Sequence, residues 1–208
     1  MFECILFDSD GTLVDSEMLS MQVLAERMAP YGADLDPCKL HDRFKGWKYG
    51  EAIEILKDEL HLDLPEDFEA GFRRQQLESF DTQLKPIPGV PELLPRLSHD
   101  MAVVTSGPMP KVRKALSVTG LAPYFGDNIY SAWEVGIWKP DPGIYLHAAE
   151  DMGYGIDQCI AIEDSPIGLV AAVESGIKSV FLNRFGEECP YDCVIQIESM
   201  PELLAILS

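Results

Sequence analysis

Four short apolar runs punctuate the chain, and each ends in polar residues. Residues 3–7 (ECILF) lead into Asp8, and 101–104 (MAVV) into Thr105, Ser106, Gly107 and Pro108. Residues 158–162 (QCIAI) lead into Glu163, Asp164, Ser165 and Pro166, and 177–182 (IKSVFL) into Asn183 and Arg184. Continuous apolar runs of this length, bounded by turn formers, predict strands covered on both faces. Helix-spaced stripes separate them: Val112, Ala115 and Leu116; Ile144 and Ala148; Ile167, Val170 and Ala171. Asp141-Pro142 and Ser165-Pro166 each set a capping oxygen before a proline suited to the first helical position. Strands alternating with helices predict an α/β fold, a Rossmann-like parallel sheet doubly wound by helices.

One stretch breaks the alternation. Residues 17–80 hold no strand-like run but carry helix-spaced apolar residues: Met18, Met21, Leu24, Ala25 and Met28, then Ile53, Leu56 and Leu60, then Phe68 and Phe72. Loops with Gly and Pro join them, and 85–91 (KPIPGVP) reads as a return linker. The expectation is a core of residues 1–16 and 81–208 with an all-helical insert over 17–80, set as a cap over one edge of the sheet. No internal repeat or low-complexity tract is present in the sequence.

Charge narrows the choice of partner. The chain's 208 residues carry 35 Asp and Glu against 16 Lys and Arg, a formal net charge of −19. Duplex nucleic acid, with one negative charge per ~1.7 Å, would be repelled, and so would an anionic membrane surface. A small anion is not excluded, because one buried cation outweighs a diffuse field screened within ~8 Å. No apolar run approaches the ~20 residues of a membrane helix. The first residues carry no basic leader, which makes a cytoplasmic setting the expectation. The odd count of five cysteines, with Cys4 and Cys159 inside strand-like runs, fits reduced thiols. Cys189 and Cys193 offer only half a metal site, since no second Cys or His pair stands near them in sequence.

Ligands of an open parallel sheet bind beyond the carboxyl ends of the strands. Here those ends carry Asp8 and Asp10, then Thr105, Ser106 and Gly107, then Glu163 and Asp164. Any one of these acids alone has a plain alternative role as a turn former or helix cap. Four acids on one rim repel each other and call for a counter-charge. A hard divalent cation with oxygen ligands, Mg2+ above all, meets that need. Lys139, ahead of the helix start at Asp141-Pro142, adds a positive charge for an anion beside the metal. Alone it would read as a surface lysine. Acids, metal, lysine and hydroxyls together describe a phosphoryl-transfer site.

The run Asp8-Ser9-Asp10-Gly11-Thr12-Leu13-Val14-Asp15 resembles the DxDGT signature of the haloacid dehalogenase superfamily. Thr105 or Ser106 matches its second motif, Lys139 its third and Glu163-Asp164 its fourth, in order across nearly the whole chain. The insert resembles the four-helix cap of the β-phosphoglucomutase-like branch. The resemblance implies that Asp8 is the nucleophile that forms an aspartyl phosphate, and that Asp10 is the acid and base. It implies Mg2+ held by Asp8, the Asp10 backbone carbonyl and Asp164, with Glu163 in the shell or beside it. It implies that Thr105, Ser106, Gly107 and Lys139 hold the phosphoryl oxygens. Dehalogenases of the superfamily lack the second aspartate, so Asp10 points to phosphoryl chemistry.

The loop Arg43-Phe44-Lys45-Gly46-Trp47-Lys48-Tyr49-Gly50 resembles the specificity loop of this cap type. Arg43 and Lys45 are then candidates to meet a second anionic group on the substrate. Solvated loop cations are the alternative. Trp47 either shelters the site or packs between helices. The mutases of the branch carry a His where Ser20 stands and an Arg where Tyr49 stands, which favours hydrolysis over phosphoryl return. Arg-Phe-Lys-Gly and Trp-Lys-Pro-Asp-Pro most resemble bacterial 6-phosphogluconate phosphatases. The expectation is a Mg2+-dependent phosphatase of a small phosphorylated sugar or sugar acid, acting as a monomer or weak homo-oligomer. A sugar-phosphate mutase is the alternative enzyme. A phospho-receiver domain is the alternative of another class, disfavoured because Asp8 and Asp10 share one strand end.

Overall fold

A computed structural model of the protein describes residues 2–207. In chain order the elements are β1 Cys4–Phe7, α1 Ser16–Met28, α2 Pro37–Phe44, α3 Tyr49–Glu59, α4 Phe68–Gln83 and α5 Val90–Leu93. There follow β2 Asp100–Thr105, α6 Met109–Val118, α7 Ala122–Phe125, β3 Ile129–Ser131, α8 Ala132–Val135 and α9 Gly143–Asp151. The chain ends with β4 Cys159–Glu163, α10 Pro166–Glu174, β5 Lys178–Leu182, β6 Ile195–Ile197 and α11 Leu203–Leu207. Among the described residues two compact units result, 2–14 with 85–207, and Asp15–Leu84.

The first unit is a six-stranded parallel sheet in the order β3-β2-β1-β4-β5-β6. This is the strand order of a Rossmann-like doubly wound fold, whose switch point lies between β1 and its neighbour β4. β1 is buried along its whole length, as its unalternating apolar run requires. Cys4 and Leu6 turn toward a core with Ala102, Val104, Ile144, Tyr145, Ala148 and Ala171. Phe7 meets Phe125 edge-on, ring centroids 6.0 Å apart. Phe7 pairs with Val103 on one side and Ile162 on the other, so the three central strands end nearly level. The Asp8 N–H then donates to the Ile162 carbonyl at 2.9 Å, extending the ladder by one rung.

Several details depart from what the sequence predicts. The edge strands β3 and β6 have three residues each, too short to leave a run. The segment read as a linker already enters α5 at Val90. On α10 the buried residues are Gly168, Leu169, Ala171 and Ala172, while Ile167 and Val170 are half-buried. Of the two predicted caps, one is found as expected and the other is displaced. Ser165 caps α10 by accepting from the Gly168 N–H. Asp141 accepts from the Gly143 N–H at 2.8 Å, so α9 begins one residue beyond Pro142.

The second unit consists of α1 to α4 around Met21, Leu24, Met28, Leu40, Phe44, Ile53, Leu56, Phe68 and Phe72. Leu60, expected on the apolar face of α3, instead follows its last turn and is exposed. Inside this core the Gln76 amide donates to the Ser20 hydroxyl, which donates in turn to the Ser16 carbonyl.

Candidate active site

The three level strand ends bring the expected core residues together. Lys139 Nζ lies 2.6 Å from Asp8 Oδ1 and 2.6 Å from Glu163 Oε1, and donates to the Val104 carbonyl at 2.8 Å. The Tyr145 hydroxyl on α9 donates to Glu163 Oε1 at 2.6 Å. The Lys139 ammonium also lies 5.2 Å from the centroid of the Tyr145 ring. Asp8, Lys139, Glu163 and Asp164 are all buried. Ionised groups in such a place must be paired.

Burial pushes the Asp8 carboxyl up to about 8, with Glu163 and Asp10 adding to the rise while Lys139 works against it. For Lys139 burial opposes the charge, but Asp8 and Glu163 more than offset it and hold the ammonium above its ordinary range. Burial, then the charge of Glu163, holds the Tyr145 hydroxyl protonated far above its usual value, so it acts as a donor.

The loop after β1 explains its own glycine. Leu13 and Val14 N–H groups both return to the Ser9 carbonyl, closing a tight turn. Gly11 sits at φ +80, and a Cβ there would collide with the Asp164 carboxylate. The adjacent Thr12 hydroxyl donates to Asp164 Oδ1 at 3.1 Å. The motif thus supplies carboxylates and also makes room for, and orients, one from another strand. On β2, Thr105 is buried, and its hydroxyl oxygen accepts the Gly107 N–H at 3.0 Å. Ser106 follows it in the same loop, and the Gly107 carbonyl accepts from Ser131 at 2.7 Å.

Asp8, Glu163 and Asp164 each offer a carboxylate oxygen, and these oxygens lie within 4.8 Å of one another. Glu163 Oε2 is buried without a hydrogen-bond partner among the described residues. Three hard oxygen donors, one of them unsatisfied, fit a hard divalent cation. The Asp10 carboxylate stands outside this set. Its Oδ2 pairs at 2.6 Å with Lys111 on α6.

The family model for haloacid dehalogenase-like hydrolases matches residues 5–182. The chain belongs to that family. Among curated relatives it is 33% identical to the 6-phosphogluconate phosphatase of Escherichia coli over 177 residues, 85% of this chain and 80% of the relative. It is 30% identical to the phosphorylated carbohydrates phosphatase of Thermotoga maritima, covering 86% of this chain and 84% of the relative. A solved structure from T. maritima assigned as a β-phosphoglucomutase aligns with a TM-score of 0.77 at 27% identity. It covers 99% of this chain and 98% of its own.

Within this hydrolase fold, four features of the site escaped the sequence reading. Lys111 reads from sequence as a solvated cation on the turn opening α6. Tyr145 reads as one more core aromatic. Thr12 reads only as part of a signature. Gly168 matters because a Cβ there would strike the Glu163 carboxylate, which no sequence pattern discloses. Lys139 is thus joined at the site by a second buried ammonium, that of Lys111, paired with Asp10.

The remaining candidates lie on the helical unit. Arg43 makes two hydrogen bonds to Glu59, at 2.7 and 2.6 Å, with its guanidinium 4.7 Å from the Phe44 ring centroid. Lys45 is half-buried just after α2. Trp47 packs edge-on against Phe44 and remains substantially exposed. Tyr49 packs on Phe72. His41 is 3.4 Å from Glu17, whose hydrogen bond raises the imidazole above its ordinary range.

Among the described residues, no helix is long and apolar enough to cross a membrane. All five cysteines are free, with Cys4 and Cys159 paired in register on β1 and β4.

Proposed function

We propose that the protein hydrolyses phosphate monoesters of a small sugar or sugar acid, with Asp8 as the phosphoryl acceptor. The observation that carries this reading is the Lys139 ammonium joined to Asp8 and Glu163 beside Asp164, a buried acid cluster with one built-in cation. The named sugar-phosphate phosphatases among the relatives support the substrate class.

In the first step an Asp8 carboxylate oxygen forms a bond to phosphorus as the bond to the leaving oxygen breaks. Asp10 gives its proton to that oxygen. In the second step water attacks the aspartyl phosphate, its proton goes to Asp10, and phosphate leaves with the Asp8 carboxylate restored. Lys139, Thr105, Ser106 and the Gly107 backbone hold the phosphoryl oxygens between the steps. Asp8, Glu163, Asp164 and the Asp10 backbone carbonyl would hold Mg2+. The bound ion would supply charge that favours the ionised Asp8 nucleophile and neutralises phosphoryl oxygens.

Substrate choice is assigned to the helical unit, through Lys45 and Arg43, with 6-phosphogluconate as the leading candidate. Arg43 would have to leave Glu59 to take part. The mutase remains the second reading, favoured by the likeness to the T. maritima structure. Ser20 and Tyr49 count against it. The Ser20 hydroxyl is engaged with Ser16 and Gln76, and the Tyr49 ring with Phe72.

The test is a screen of phosphorylated metabolites for phosphate release. Activity is expected with Mg2+, abolished by EDTA and absent in Asp8→Asn. Full turnover in EDTA, or by Asp8→Asn, would overturn the reading.

A further inference from the structure

We propose that Lys111 is a positioning residue, which fixes the Asp10 carboxyl group in the orientation that serves the leaving oxygen. The inference rests on the acid and base role given to Asp10 above. Lys111 stands in the first turn of α6, where its N–H donates to the Pro108 carbonyl at 2.9 Å. That helix is anchored through buried Val112, Ala115 and Leu116. The Lys111 side chain is 5% exposed and that of Asp10 is 21% exposed, with Nζ and Oδ2 2.6 Å apart.

Burying an ammonium costs several kcal/mol unless it is well paired. An apolar side chain would cover the same surface without that cost, so covering the surface does not explain a lysine here. The pair also places Asp10 against the β2 loop. A Cβ on Gly107 would lie 3.5 Å from Asp10 Oδ2 and 3.3 Å from the Thr105 hydroxyl. One Asp10 oxygen is thus held beside the loop proposed to bind the phosphoryl group. Holding one oxygen fixes the rotation of the whole carboxyl group. A displacement near 1 Å at such a group costs ~10²-fold in rate.

The test compares kcat/KM for phenyl phosphate and p-nitrophenyl phosphate, which share a ring but differ in leaving group. Phenolate needs a proton as it departs, whereas p-nitrophenolate leaves nearly unaided. Asp10→Asn is expected to lose far more on phenyl phosphate. Lys111→Met is expected to repeat that pattern, with ~10²-fold loss on phenyl phosphate and under ~10-fold on p-nitrophenyl phosphate. Lys111→Arg, which keeps a cationic hydrogen-bond donor beside Asp10, is expected to recover most of the difference. Activity retained on p-nitrophenyl phosphate shows that the variant is folded. Lys111→Gln gives the same comparison if the Met variant does not fold.

Equal losses on both substrates in the Lys111 variants, with Asp10→Asn still discriminating, would overturn the positioning role. So would a KM increase alone, the mark of direct phosphate binding. No discrimination by Asp10→Asn itself would overturn the acid–base reading and the inference with it.

Discussion

Lys139 Nζ lies 2.6 Å from both Asp8 Oδ1 and Glu163 Oε1, so one buried ammonium serves carboxylates from the ends of two neighbouring strands. Its position follows from the sheet. Phe7 pairs with Ile162, which puts the next residues, Asp8 and Glu163, side by side. Lys139→Met is expected to leave both acids uncompensated, at a cost of about 3–5 kcal/mol for a broken buried pair. Denaturant unfolding in EDTA measures that loss, and turnover with Mg2+ is expected to fall by at least ~10²-fold. A variant as stable and active as the parent would contradict this.

Gly168→Ala tests the room made for Glu163. The added Cβ would strike the Glu163 carboxylate and turn it out of the acid cluster. Divalent-ion affinity, read by calorimetry, is expected to weaken ~10–100-fold, as for residues that orient a metal ligand. Far-ultraviolet circular dichroism is expected to be unchanged. Unaltered affinity would show that Glu163 does not hold the ion.

Much of this was legible before the structure. Strand ends announce themselves by apolar runs, so the placement of Asp8, Thr105 and Glu163 followed from pattern and the rule for open sheets. The three-residue edge strands β3 and β6 were not legible, because they owe their form to a neighbour's unpaired backbone rather than to a run of their own. Lys111 and Gly168 were missed for another reason. The importance of each lies in a single distant partner, Asp10 for one and Glu163 for the other. Periodicity reports which face a residue occupies, not what it meets there.

The pair between His41 and Glu17 makes a pH prediction for the helical unit. Contact with Glu17 raises the folded imidazole above its unfolded value. The stabilisation is therefore complete below the unfolded value, ~6.5. It is lost as pH rises through the folded one. His41→Gln is expected to cost about 0.5–1 kcal/mol at pH 5.5 and less at pH 8.5. Unfolding curves at the two pH values decide it. An equal cost at both would mean that the imidazole is uncharged in the pair.

Lys45→Ala examines the proposed seat of specificity. The KM for 6-phosphogluconate is expected to rise ~10-fold while that for p-nitrophenyl phosphate stays unchanged, since only the first carries a second anion. Equal effects on both would remove Lys45 from substrate choice.

The most direct measurement supplies 6-phosphogluconate and, separately, β-glucose 1-phosphate with a trace of the bisphosphate, and follows phosphate and sugar isomers in each. Rapid phosphate release is expected from the first, with little glucose 6-phosphate from the second. Efficient conversion of β-glucose 1-phosphate to glucose 6-phosphate without phosphate release would contradict it and make the protein a mutase.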